Sequence, residues 1–411
     1  MTKTFFILDL STPDQERFFL SRYENPFDDK ASPCYHPPHV FSLTSIWRKW
    51  NMKIYRAAII GCSRMGAFID HEVTDYKAIL LPYSHAAGFQ IEERTDLVAC
   101  SDLRLDVMEE FGKLYGVAKE HQYTDYREML EKEQPEIVSV ATQPEHRAEI
   151  VIDIANHGVK AIYAEKAMAA SMEEARAMVD AVEENGVLFN LGTNRRWHPG
   201  FDSMKSIIDS GELGKLKTLI IYSNGTLFNS ASHNFDLVLR LNSDVAATWV
   251  SAYLPNGDNI INGEIVSEDP VGYGIIQFEN EVTAHAMLSP RTSEWEAICE
   301  KGSLTCWNNG WQWQLRRQAD VSGWRRCLVP GAFPEFESSS STQNLIRDLV
   351  QALDTNTTTR GGVRVAYAST ELIFAFMESH LQNGKRINLP LVGSKLRLKR
   401  DGAPRHPRFS I

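Results

Sequence analysis

Between residues 54 and 192, short apolar runs alternate with helical patterns. That alternation restricts the possible folds more than any other feature of the chain. Tyr55–Ile60, Thr95–Asp102, Pro135–Thr142, Val159–Ala164 and Val187–Gly192 read as buried strands. Helical periodicity fills Asp106–Leu114, Tyr126–Lys132, Glu145–His157 and Ser171–Asn185 between them. Strands separated by helical segments of about 10–15 residues make a doubly wound parallel sheet, an α/β fold.

The first strand runs into Gly61-Cys62-Ser63-Arg64-Met65-Gly66. This is a dinucleotide-binding turn with Ser63 in place of the usual middle glycine. The first glycine permits the tight turn, the small middle residue lets backbone approach a pyrophosphate, and the last allows close helix–strand packing. The second strand ends in Asp102, an acid that can accept hydrogen bonds from a ribose diol or cap the helix after it. Asp102 lies 41 residues after Gly61, where about 20 is usual. The excess is read as an insertion, Asp70 to Tyr83, forming a loop beside the cofactor cleft.

The fourth strand ends in Glu165-Lys166-Ala167. Ligands in open parallel sheets gather beyond the carboxyl ends of strands, so Lys166 is expected to handle a proton in hydride transfer. The competing reading is an ion pair. After Trp197 the pattern changes. A helix, Phe201–Ser210, leads into period-two runs at Lys217–Ser223, Ala246–Ala252, Val271–Phe278, Val282–Leu288 and Glu296–Glu300. Further strand-like pieces surround Trp307, Trp311, Trp313 and Trp324. They predict a mostly antiparallel sheet, with the tryptophans packing it or forming an oligomer face. Helices Thr342–Leu353 and Ala366–Leu381 close the fold.

Composition bounds partners and compartment. The chain has 411 residues and a formal net charge of −10, which argues against nucleic acid or an anionic membrane as the main partner. No apolar run reaches the ~18 residues of a membrane helix. Six scattered cysteines form no C-x-x-C pair and read as reduced thiols of a cytoplasmic protein. No metal-ligand cluster is apparent, so a dehydrogenase of this sequence must polarise its alcohol without zinc. Four segments are expected: an N-terminal extension (1–51), or sequence upstream of a true start at Met52; a dinucleotide-binding domain (52–197); a substrate and oligomerisation domain (198–391); and a basic tail (392–411) forming a solvated arm.

The glycine turn, Ala141-Thr142-Gln143-Pro144-Glu145-His146, Ala164-Glu165-Lys166-Ala167, Asn194-Arg195-Arg196-Trp197 and Ser232-His233-Asn234-Phe235-Asp236 occur in that order. Together they resemble the Gfo/Idh/MocA oxidoreductases, the glucose–fructose oxidoreductase and inositol dehydrogenase relatives, over about Lys53 to Leu391. The resemblance implies a Rossmann domain, a C-terminal α/β domain whose open sheet often makes oligomers, NAD or NADP, and a sugar or polyol substrate. It implies Lys166 and His233 as catalytic residues. Gly61, Ser63, Arg64, Met65, Gly66, Asp102, Thr142, Pro144, His146, Glu165 and Arg195 are implied as cofactor contacts. Lys166, Asn229, His233 and Asp236 are implied at the substrate. Two residues depart from the family pattern: Ala167 where proline is usual, and Asn229 where the inositol branch has an aspartate. Two other activities fit the same motifs: a cofactor-retaining lyase or glycosidase using transient oxidation, and a non-catalytic nucleotide-dependent sugar sensor.

Overall fold

The computed structural model describes residues 52–319 and 327–400. The N-terminal extension, Trp324 and the last part of the basic tail lie outside the described residues. The chain divides into two units, Met1–Met52 and Lys53–Ile411. The second unit contains both of the large sheets and the candidate site.

Six parallel strands form the first sheet: β1 (Tyr55–Ile60), β2 (Thr95–Ser101), β3 (Gln122–Tyr123), β4 (Ile137–Val140), β5 (Ala161–Ala164) and β6 (Leu188–Leu191), in the order β3-β2-β1-β4-β5-β6. This is the order of a dinucleotide-binding sheet, with its switch point between β1 and β4. All four residues of β4 and of β5 are buried, because helices cover both faces of a parallel sheet. The expected helices appear as Leu105–Tyr115, Tyr126–Glu133, Pro144–Asn156 and Met172–Glu184.

After the glycine turn the chain makes a π-helical turn at Arg64–Phe68 and a 3-10 turn at Ile69–Glu72. Asp70 then folds the insertion back on itself. Its Oδ1 accepts the Tyr83 and Ser84 N–H groups at 2.7 Å, and its Oδ2 accepts the Ser84 hydroxyl at 3.0 Å. Ser84 caps a helix absent from the sequence reading, His85–Ile91.

The strands of the second half, in chain order, are β7 (Leu216–Ser223), β8 (Ala247–Tyr253), β9 (Ile261–Asn262), β10 (Ile265–Val266), β11 (Tyr273–Phe278), β12 (Thr283–Leu288), β13 (Glu294–Cys299), β14 (Gly302–Trp307), β15 (Gln312–Ala319), β16 (Cys327–Gly331), β17 (Ile387–Asn388) and β18 (Arg397–Leu398). Nine of them make the second sheet, ordered β16-β15-β14-β13-β7-β12-β11-β8-β17. Within it only the β7–β12 pairing is parallel. Trp295 is buried edge-on against Phe201, and Trp313 stacks on Phe333. Of the tryptophans expected to pack the sheet or form an oligomer face, Trp313 packs it.

Two segments pack across the expected limits. The helix Ser341–Thr355 does not stay with the second sheet. Its Leu345, Ile346, Leu349 and Val350 join the core containing Tyr55, Ile59 and Phe89. Its apolar stripe finds its complement on the first domain, so residues 198–391 are not packed as a self-contained unit. The described part of the tail is not a solvated arm either. Strand β18 runs parallel to β10, and Leu396 and Leu398 are buried. Arg397 pairs with Glu174, and Arg400 with Glu145 at 2.6 Å. Two alternating leucines give this basic segment an apolar face, and acids on the first domain receive its charges.

Candidate active site

The glycine turn opens the first half of the site. Gly61 has φ +92°, and a side chain on Gly66 would put Cβ 2.0 Å from the Gly61 carbonyl oxygen. Both positions therefore need glycine. The Cys62 N–H donates to Asp102 Oδ2 at 2.8 Å, and the Arg104 N–H to Oδ1 at 3.0 Å. Asp102 thus ties the ends of β1 and β2 together. It does not cap the next helix, whose N-cap is Arg104. Gly61, Ser63, Asp102, Thr142 and His146 line one pocket of about 420 Å³, with Tyr126 and Ile150 on its apolar wall. Thr142 Oγ1 is buried there without a partner. A buried hydroxyl in a roomy polar pocket is a place for a ligand hydrogen bond.

Lys166 stands one residue past Glu165, beyond the carboxyl end of β5. Its Nζ donates to Asn229 Oδ1 at 2.5 Å, and the Lys166–Ala167 peptide is cis. Burial holds the half-buried ammonium below the ordinary lysine range; Arg147 and Arg195 add to this, while Glu165 and Asp269 oppose it. Burial, then the charges of Arg195 and Lys166, push the His233 imidazole well below its usual range. His233 is therefore neutral near pH 7, and its Nδ1 is buried without a partner. His233, Arg195, Asn194, His198, Tyr83 and Asn309 line a second, small cavity of about 40 Å³. Insertion residues Ala78, Ile79 and Leu80 also line it. The insertion therefore covers the His233 side of the site; it does not line the pocket at the glycine turn.

Five expected contacts are placed differently. Arg64, within the turn, is paired with Glu72 at 2.8 Å. Pro144 is buried as the first residue of its helix, where its ring suits the starting geometry. Glu165 points inward: Oε1 takes His85 Nε2 at 3.0 Å and Oε2 takes the Lys166 N–H at 3.2 Å. Burial raises its carboxyl, but His85, Lys166 and Arg147 outweigh burial and hold it below its usual range. Arg195 faces the small cavity, donating to Asn309 Oδ1 at 2.6 and 2.9 Å over the face of Trp295. Asp236, expected at the substrate, is bound by Arg196 Nε through both oxygens at 3.0 and 3.1 Å. Asp244 takes the other edge of the same guanidinium at 2.8 Å. A fully buried arginine needs these acids, and Asp236 is spent on it.

Three residues escaped sequence reading. Asp269 accepts the N–H groups of Phe228 and Asn229 at 2.8 and 2.9 Å, bracing the turn that carries Asn229. Its charge also acts on Lys166. His85 stacks on Tyr163 at 3.8 Å and holds Glu165. Buried Arg147 donates to the carbonyls of Thr142 and Ala167, clamping the cofactor loop to the lysine turn. Burial lowers its guanidinium to about 10. Only Arg147 had a signal, a cation in the first turn of a helix where the dipole disfavours one.

Residues 55–193 match the family model described as an oxidoreductase family with an NAD-binding Rossmann fold. Over these residues the chain is similar to the Gfo/Idh/MocA oxidoreductase family. It is 24% identical over 196 residues to a myo-inositol 2-dehydrogenase of Thermotoga maritima, covering 44% of this chain and 53% of that one. It is 29% identical over 164 residues to a D-apiose dehydrogenase of Paraburkholderia graminis, covering 40% and 38%. The matched stretches thus span about half or less of these curated relatives. An inositol dehydrogenase homologue of Azotobacter vinelandii, solved with NADH and myo-inositol, shares the fold with TM-score 0.65 at 16% identity over 82% of this chain and 98% of that one.

Proposed function

We propose that the protein is an NAD-dependent dehydrogenase of a sugar, polyol or related compound, with NADP as the less favoured nucleotide. One observation carries the reading: a half-buried lysine, Lys166, follows β5 at the carboxyl end of the sheet that carries the glycine-turn pocket, with its Nζ held by Asn229. The pocket suits a dinucleotide. Gly61 and Gly66 leave backbone uncovered, Asp102 lines the ribose side, and Thr142 Oγ1 awaits a partner. The Asp102 carboxylate repels a 2′-phosphate, which favours NAD, and the Arg104 side chain is turned to Asp106.

When bound, the nicotinamide supplies the hydride acceptor. Lys166, its charged form disfavoured, takes the hydroxyl proton at Nζ as the carbinol carbon gives up hydride. Asn229 Oδ1 fixes the direction of Nζ. The depressed pKa makes neutral His233 a weak proton acceptor, so it serves as a hydrogen-bonding group. The two retaining or sensing alternatives gain no support from the dehydrogenases that the chain resembles.

Lys166→Met is expected to fold and bind NAD while losing several orders of magnitude in kcat, followed by NADH absorbance across sugars and polyols. Near-normal turnover on the true substrate would remove Lys166 from the chemistry. The open face of the nine-stranded sheet exposes Tyr253, Tyr273 and Met287, which supports assembly into a homo-oligomer. Sedimentation velocity should show a species larger than the monomer, and Tyr273→Arg should shift it toward monomer. Free cysteines at five described positions fit the reducing cytoplasm.

A further inference from the structure

We infer that the substrate of this site is a polyhydroxylated carboxylate, a sugar acid, whose carboxylate group is received by Arg195 in the small cavity beside His233. The inference rests on the dehydrogenase reading above and narrows its substrate class.

Two adjacent arginines are treated differently by this fold. Arg196, fully buried, is neutralised on both edges by Asp236 and Asp244. Its sequence neighbour Arg195 receives no such treatment. Among the described residues no carboxylate lies within ion-pair distance of Arg195. Its Nε and Nη2 share one neutral amide oxygen, that of Asn309. Its guanidinium carbon lies 5.0 Å from the Trp295 ring centre. Asp236, the acid whose field reaches it, has both oxygens on Arg196. A largely desolvated cation with only neutral partners is costly unless an anion arrives.

The surroundings carry the same sign. Among the described residues, the Lys166 ammonium donates to a neutral side chain, the amide of Asn229. Arg195 lines the cavity beside His233, and the charges of Arg195 and Lys166 both act on that imidazole. Glu165 and Asp269 are the nearby acids, and each is already engaged, by His85 and by two backbone N–H groups. The cavity also presents Asn194, whose Oδ1 is buried without a partner, and His233 Nδ1. These suit the hydroxyl next to an acid group. The cavity, about 40 Å³, takes one small polar group and not a sugar ring. Arginine's planar fork binds a carboxylate through two parallel hydrogen bonds. An acid group in the cavity leaves the polyol chain outside it, beside His233.

The rival source of negative charge is the dinucleotide's own phosphate. Arg195 does not line the glycine-turn pocket, which argues for the substrate.

The test is calorimetry on NAD-loaded full-length protein with D-gluconate, D-glucuronate and D-galacturonate against D-glucose and myo-inositol. At least one acid should bind ten or more times tighter than either neutral compound. Arg195→Gln should erase that preference and Arg195→Lys restore part of it, with the Kd for NAD unchanged within a factor of two. Equal binding of acids and neutral sugars, or no binding of any acid, overturns the inference; the wild-type protein alone decides this if a variant fails to fold. Parallel weakening of NAD in Arg195→Gln overturns it in favour of the cofactor phosphate. Acid binding without NADH formation would sink the dehydrogenase reading and leave the anion site standing. Turnover of neutral sugars alone would do the reverse.

Discussion

The role proposed for Lys166 depends on what surrounds its nitrogen. Burial and two arginines lower its pKa, and Asp269 holds part of that shift back. A base must be deprotonated, so kcat/KM for oxidation should rise with pH through a value below the ordinary lysine pKa of about 10.4. Removing the Asp269 charge removes a raising influence, so in Asp269→Asn the rise should move to lower pH. The variant also presents a donor to the Phe228 and Asn229 N–H groups and loosens the turn bearing Asn229. We expect kcat to fall on the order of tenfold, about 1.4 kcal/mol of transition-state stabilisation. An unmoved pH profile would show that Asp269 braces the loop without touching the lysine's charge. Lys166 itself was legible as a residue type at a strand end. Its partner was half legible: Asn229 was singled out as a departure, but Asp269, 40 positions further on, carries no local mark.

At the scale of elements, the insertion after the glycine turn is the part of the first domain that departs furthest from its sequence pattern. Its charge and aromatics marked it as irregular, yet the helix His85–Ile91 inside the long gap went unseen because seven residues show too little periodicity. Asp70 closes the insertion with three hydrogen bonds onto Tyr83 and Ser84. Tyr83 and residues 78–80 line the small cavity, so the closure reaches the substrate side. Asp70→Ala should cost about 0.5–2 kcal/mol, the range of a lost helix cap. It should raise the KM for substrate more than the KM for NAD. Thermal unfolding and initial-rate kinetics check the two effects. Equal changes in both KM values would mean that the insertion does not form the substrate wall.

Across the whole molecule, the second half of the chain returns twice to the first. The helix Ser341–Thr355 completes a core of the Rossmann domain. The segment Arg397–Leu398 joins β10, while Arg400 bonds Gln143 and Glu145 above the cofactor loop. This ties the region of Asp269 to the first domain by a route that does not pass through the site. Leu398 is fully buried in the larger core, so Leu398→Ala should cost about 2–5 kcal/mol. Denaturant unfolding measures it, and a change below about 0.5 kcal/mol, the usual scale of a surface substitution, would show that the tail is the solvated arm its charge suggested.

Periodicity and motif order were enough for the parallel sheet, its dinucleotide turn, the second antiparallel sheet and the place of Lys166. Each of these is written in residues adjacent in sequence, where a strand alternates, a helix repeats or a glycine permits a turn. The partners of the charged side chains were decided only by the tertiary structure. Asp236 goes to Arg196, Glu165 to His85, the tail's arginines to acids of the first domain, and Arg195 to no acid among the described residues. Such pairs join residues 40 to 255 positions apart. Their energy depends on burial and geometry at the point of contact, which composition and spacing do not carry.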